Sequence, residues 1–195
     1  MQRIFFSLFA ILLLSIVWIS PAKAQSGGWS EPYRLSSLNA TATEAYMVAD
    51  RYGYVHCFWK EILDASQQNV IKYARFDGAT WTQPNDVYST EREVRNISPN
   101  IDSQGMSYIG WAEGLSGAAY FDYMYTYAPA NNALSAQNWA TPLRTRLPAR
   151  VAYLRVDSKE VFHVLYINQT EETGVYYIHS EDKGLTWSEP RTLLL

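Results

Sequence analysis

Two motifs that recur with a shared period near 50 residues predict an all-β fold, a β-propeller of four-stranded blades, with about three blades plus one N-terminal outer strand present. The first motif is Trp-x-x-Pro. It begins at Trp29, Trp81, Trp139 and Trp187, with spacings of 52, 58 and 48 residues. The second is an Asp, a short turn and an aromatic-rich strand. It begins at Asp50, Asp102 and Asp157, with spacings of 52 and 55 residues. A third observation agrees: 15 Tyr and 7 Trp in 195 residues are side chains that pack well on a pleated surface.

The elements can be justified in order. In the first repeat, residues 45–50, 54–61, 70–76 and 86–90 are β-branched and aromatic runs set between Gly, Asn, Asp and Pro, which predicts four strands. The repeats span about 41–90, 97–147 and 150–195. Residues 128–138 lack apolar strand residues and predict the longest loop. No stretch after the N-terminus shows helical periodicity. Residues 29–36 read as the outer strand of a further, closing blade. Propellers close with about four to eight blades, so three and a fraction predict a partial chain, or one that closes its ring by association with another copy.

The N-terminus has the parts of a secretory signal. Arg3 gives a positive start, an apolar run follows to Ile19, and Ala22 and Ala24 are the small residues before a cleavage site. Cleavage after Ala24 would leave 25–195 as the propeller. The apolar run is short for a span of about 20 residues, and Pro21 ends it, so no stable membrane span is expected after cleavage. The protein is expected outside the cytoplasm: secreted, periplasmic or at the cell surface.

Charge excludes one class of partner. The chain has 16 basic and 19 acidic residues, net −3. Loss of Arg3 and Lys23 with the signal makes the mature part more acidic, and phosphate binding needs a basic surface, so nucleic acid is not expected. Cys57 is the only cysteine, so no internal disulfide exists, and its apolar neighbours read as those of a buried thiol.

One motif carries a family resemblance. Ser180, Asp182, Gly184, Thr186 and Trp187 fill every fixed position of Ser-x-Asp-x-Gly-x-Thr-Trp. This resembles the Asp box, or bacterial neuraminidase repeat, of sialidase-like propellers. The stretch from Asp77 to Trp81 keeps a weaker version. The Asp can accept backbone N–H groups within the turn and the Gly can take a positive φ, so the motif itself is structural. In the resembling family it lies on the face away from the substrate pocket. That family holds its substrate carboxylate with three arginines and attacks with a Tyr activated by a Glu. Its early Arg-Ile-Pro motif is absent here, and Tyr33-Arg34-Leu35 falls on the expected outer strand, so no catalytic residue is carried over.

Candidate ligand-binding residues come from the loops joining strands two to three and four to one, which open on one face of a propeller. These are Arg92, Arg95, Arg144, Arg150 and Glu113, with Trp59 and Trp111 at equivalent strand ends. Arginines converging from neighbouring blades would hold an anionic sugar bidentately. Polar loops are also simply solvated, and aromatics near a rim can stack on sugars, but packing between blades is the use expected of the two Trp. Lys60, Glu61, Asp64, Arg146, Glu171 and Glu172 lie in the same loops. His56 and His163 share one repeat position, filled by Tyr108 in the middle copy. A metal pair is conceivable there, but repeat equivalence points to blade packing. No metal and no cofactor is expected. Asn39, Asn96 and Asn168 open glycosylation sequons, which matter only if the source uses them.

The expected function is therefore an exported, glycan-directed, sialidase-like propeller, part of an exo-sialidase-type glycoside hydrolase. The alternatives are a non-catalytic propeller that binds glycan or glycoprotein at the cell surface, and an inactive truncated product.

Overall fold

The computed structural model describes residues 30–119, 121–148, 151–168 and 173–194. The signal, Trp29 and Arg150 lie outside these residues. The chain divides after Tyr33 into two units. Of the first, only residues 30–33 are described; they are exposed and in no strand. The second unit, Arg34–Leu195, contains every described strand.

Twelve described strands make three four-stranded antiparallel sheets, each a meander in chain order. The first sheet is β1 (Ala40–Ala49), β2 (Val55–Leu63), β3 (Asn69–Phe76) and β4 (Asn85–Thr90). The second is β5 (Glu93–Ile101), β6 (Met106–Gly114), β7 (Asp122–Pro129) and β8 (Leu143–Pro148). The third is β9 (Val151–Val156), β10 (Phe162–Asn168), β11 (Gly174–Ser180) and β12 (Arg191–Leu194). The stretch 128–138, expected as loop, completes β7 and then makes two single 3-10 turns, Ala130–Asn132 and Ala136–Asn138. Residues 30–36, expected as part of an outer strand, are in no strand; Leu35 instead packs against Cys57, Trp59 and Ala74.

Burial patterns report how the sheets stack. Successive strand residues point to opposite faces. β6 is buried from Ser107 to Gly114 on both faces, because the second sheet has a neighbour on each side. One face packs Ile109 and Trp111 against Phe58, Ile71 and Tyr73 of the first sheet. The other packs Tyr108, Tyr123 and Tyr125 against Leu154, Phe162 and Val164 of the third. Phe58 sits 5.0 Å from the Tyr73 ring and 6.0 Å from Trp139, edge-on to the indole. Burying a side chain of this kind contributes about 1.5–3 kcal/mol. β9 alternates buried and open residues, since only one face of the third sheet is covered. Leu165 shows the consequence. It is 43% exposed, whereas Phe58 at the equivalent repeat position is fully buried.

The repeat is physical at the turns. Asp50 Oδ1 accepts the N–H groups of Tyr52 (2.8 Å) and Tyr54 (3.0 Å). Asp102 does the same for Gln104 (2.9 Å) and Met106 (2.8 Å), and Asp157 for Lys159 (2.8 Å) and Val161 (2.9 Å). Three residues after each Asp the chain takes a positive φ: 88° at Gly53, 84° at Gly105, 64° at Glu160. A carboxylate that caps its own turn fixes the hairpin geometry whatever follows it. The edge strands β1 and β5 each carry a register shift, at Thr43/Tyr46 and Arg95/Ser98, centred on Glu44 (φ 53°) and Asn96 (φ 55°). These bulges bend the strands and turn the side chain at 44 toward the second sheet.

The turn from Ser180 to Trp187 is held by its own polar groups. Asp182 accepts from the Thr186 amide (2.8 Å) and hydroxyl (2.6 Å), and Gly184 N–H donates to Ser180 Oγ at 2.8 Å. These bonds hold the Asp182 carboxyl down at about 2. Asp77 repeats the arrangement with the amides of Ala79 and Thr80, at 2.8 and 2.7 Å.

Candidate functional site

The loops after β2, β4 and β6 open at one end of the sheets, here the rim; the Asp turns lie at the opposite end. The rim candidates divide between buried and exposed positions. Trp111 is fully buried and Trp59 nearly so, so neither offers a ring face to a sugar. Each indole is instead tied to a carboxylate two residues along its own strand. Trp59 Nε1 donates to Glu61 Oε1 at 2.8 Å, and Trp111 Nε1 to Glu113 Oε2 at 3.1 Å. Residues i and i+2 share a face of a strand, so the spacing Trp-x-Glu makes the contact geometrically natural.

Glu113 also joins two sheets. Its Oε1 accepts from the Tyr88 and Thr90 hydroxyls of β4, both at 3.3 Å, while the Tyr88 ring lies 4.9 Å from Trp111. Glu61 accepts the Ser37 amide at 2.8 Å and has Lys72 Nζ 4.0 Å away. Burial pushes the Glu61 carboxyl up, but the bonds from Trp59 and Ser37 and the Lys72 charge outweigh it and leave it low. Beside this pair, Lys60 Nζ donates to Glu44 Oε1 (3.0 Å) and to the Val94 carbonyl (2.9 Å), and Glu44 Oε2 accepts the Ile97 amide (3.1 Å). Sequence reasoning did not find Glu44. Its aim depends on a bulge at a non-glycine residue, for which the sequence carries no signal.

The described arginines are not gathered into one site. Arg95 is paired with Glu93 at 2.6 Å and lies 4.6 Å over the Phe121 ring. Arg144 is paired with Asp122 at 2.5 Å. The two stand on β5 and β8, the opposite edges of one sheet. Arg92 is exposed, and its amide caps onto Thr90 Oγ1. Arg150, Glu171 and Glu172, and the Arg146 side chain, lie outside the described residues. Asp64 is exposed.

The shared histidine position has a structural answer. His56 is buried, with Nε2 at 3.2 Å from Asp50 Oδ2 and Nδ1 at 2.7 Å from the Tyr73 hydroxyl. His163 repeats both contacts, with Asp157 at 3.3 Å and Tyr177 at 2.8 Å. In the middle copy the Tyr108 hydroxyl donates to Asp102 at 3.2 Å. Burial holds His56 below its ordinary value, against the pull of Asp50, and pushes the Tyr73 hydroxyl well up. The ring is therefore neutral and the phenol protonated at neutral pH, a locked strut between turn and sheet. Among the described residues no group of His, Cys, Asp and Glu is placed to hold a metal ion. No described helix is long and apolar enough to cross a membrane. Burial also raises the Cys57 thiol.

The sheets, their stacking and the rim contacts permit comparison with solved structures. The fold is similar to that of ulvan lyases. A polysaccharide lyase of family 25, an ulvan lyase solved with -[GlcA(1-4)Rha3S]-, matches with a TM-score of 0.59 and 14% identity over 80% of this chain and 43% of that one. An ulvan lyase structure of the same family has a TM-score of 0.59 and 15% identity over 83% and 45%. The polysaccharide lyase Uly1 has a TM-score of 0.53 and 8% identity over 78% and 41%. This chain thus spans less than half the length of each. At such identities the likeness is one of fold. No protein-family model matches the chain, and no curated protein matches it in sequence.

Proposed function

We propose that the three sheets are blades of a β-propeller that is exported and binds polysaccharide outside the cytoplasm. The observation that supports this best is the match of 80% of this chain to 43% of an ulvan lyase solved with -[GlcA(1-4)Rha3S]-. The signal-like N-terminus supports export. The rim supports a binding role more than a sialidase-type arginine triad, because Arg95 and Arg144 are neutralised on opposite edges of one sheet. The open face of the third sheet, with Leu165 and Tyr153 over 40% exposed, is the surface a further blade would cover, and a second copy of the chain is one source of it.

The test is retardation of the purified chain in native gels cast with a polyuronate, a sulfated galactan or neutral dextran. Retardation by an acidic polymer and not by dextran is expected; migration unaffected by all three would overturn the proposal. A second reading, a sialidase-type hydrolase, draws on the self-bonded turn at Asp182 and Thr186. Release of fluorophore from a 4-methylumbelliferyl sialoside would establish it.

A further inference from the structure

A cleft of about 200 Å³ opens between the first two sheets at the Asp-turn end, opposite the rim. Asp50, Tyr52, Tyr54 and Arg75 line it from one side, Gln104 and Asn131 from the other. Its lining carries one acid and one base, Asp50 and Arg75, which are not paired with each other. The Asp50 carboxylate is occupied by the amides of Tyr52 and Tyr54 and by His56. Arg75 has no acidic partner among the described residues: its guanidinium lies 4.6 Å over the Tyr54 ring, one nitrogen reaches the Ala130 carbonyl at 3.3 Å, and Nε is buried without a hydrogen bond. Arg51, next to Tyr52 in the chain, is likewise held by neutral groups, the Ser103 carbonyl (3.1 Å) and the Tyr52 hydroxyl (2.6 Å), with its guanidinium 4.8 Å over the Tyr52 ring. Tyr52 itself is 67% exposed.

We propose that this cleft binds one acidic sugar residue of a polysaccharide, a pyranose carrying a carboxylate or a sulfate ester. The guanidinium of Arg75 meets the oxyanion, as arginine does wherever planar anions are recognised. The exposed ring of Tyr52 takes the apolar face of the sugar, and the amides of Gln104 and Asn131 take its hydroxyls. The volume is below the roughly 300–1,000 Å³ of pockets for drug-sized ligands, so it suits a single residue of the polymer. Arginines already stacked on tyrosine rings lose little freedom on binding, which favours recognition. The role proposed for the cleft is to hold the sugar, since its carboxylate, Asp50, is taken up by the turn amides and by His56 behind it. It anchors the polymer on the face away from the rim.

This inference rests on the reading of the chain as glycan-directed, and the test separates the two. Tyr52→Ala removes an exposed ring and Arg75→Gln the charge; thermal melts verify that both fold. Arg92→Gln, on the rim, is the comparison. Binding is measured by calorimetry at low salt against a polyuronate without sulfate, a sulfated galactan without uronate, and dextran. The wild type is expected to bind an acidic polymer, with loss of about tenfold or more in each cleft variant, the loss of a charged hydrogen bond or a ring contact, and none in Arg92→Gln. Binding of the polyuronate alone identifies the carboxylate, of the galactan alone the sulfate ester, and of both the shared oxyanion. Wild-type affinity retained in both Tyr52→Ala and Arg75→Gln overturns the cleft and leaves the glycan reading standing. A wild type that binds none of the three polymers overturns both.

Discussion

The indole of Trp111 donates to Glu113, two residues along the same strand, and Glu113 in turn accepts from Tyr88 and Thr90 on the neighbouring sheet. One carboxylate thereby closes a strand-end contact and a sheet-to-sheet contact together. Glu113→Leu leaves an indole N–H and two hydroxyls without their acceptor in a buried place. The expected loss is about 2–3 kcal/mol, read as a lower urea midpoint. Glu113→Gln keeps an acceptor and should lose less. Equal losses for the two variants would show that the oxygen is not what matters.

Gly110 lies directly beneath the Tyr123 ring, where a Cβ would fall on the phenol oxygen. Both are buried between the second and third sheets, and burial pushes the Tyr123 hydroxyl up. Gly110→Ala is expected to cost about 1–3 kcal/mol through overpacking. Tyr123→Phe should recover part of that in the double variant, because it removes the first atom struck. Additive losses in denaturant melts would count against the contact.

Gly184 holds a φ of 86°, and a Cβ there would meet the Tyr125 hydroxyl at 2.5 Å. That hydroxyl donates to the Lys183 carbonyl at 2.6 Å and docks the turn on the second sheet. Gly184→Ala adds a left-handed penalty of about 1–2 kcal/mol to the displacement of Tyr125. Tyr125→Phe should cost about 1 kcal/mol. Thermal melts check both; an unchanged midpoint for Gly184→Ala would refute the packing argument.

His56 gives stability a pH dependence. Burial depresses its pKa in the folded chain, so the unfolded chain binds the proton first as pH falls. Its contribution is complete above the ordinary value of 6.5 and is lost as pH drops below it, with a slope of at most about 1.4 kcal/mol per pH unit. Urea midpoints between pH 7.5 and 5.5 should show the fall. His56→Tyr copies the Tyr108–Asp102 contact of the middle repeat and should remove the dependence while keeping the fold. A dependence undiminished in that variant would assign it elsewhere.

Much of the fold was legible because its causes are local. Asp50, Asp102 and Asp157 cap their own turns, and the strands between them follow from alternation and punctuation. The rim was less legible. Trp59, Trp111 and Glu113 were expected at a strand end near solvent, and strand ends are where sequence patterns lose their reach. Whether such a side chain faces a ligand or a neighbouring sheet depends on how closely that sheet stacks. Arg95 and Arg144 were expected in loops that converge. They lie within strands, and each met an acid of its own sheet before it could meet the other. The cleft at Tyr52 and Arg75 was not legible as a site: two copies of the Asp-turn motif wall it, but they lie 52 residues apart in the chain and only the stacked sheets bring them together.

The sequence by itself determined the repeat, the all-β class and the hairpin turns, because each rests on contacts within a few residues and on the two-residue period of a strand. Only the tertiary structure decided which tryptophans are buried, which arginines are paired with an acid and which is stacked on a tyrosine ring instead. Those outcomes depend on the stacking of one sheet on the next and on a bulge at Glu44. Contacts between distant segments are not written in the spacing of either.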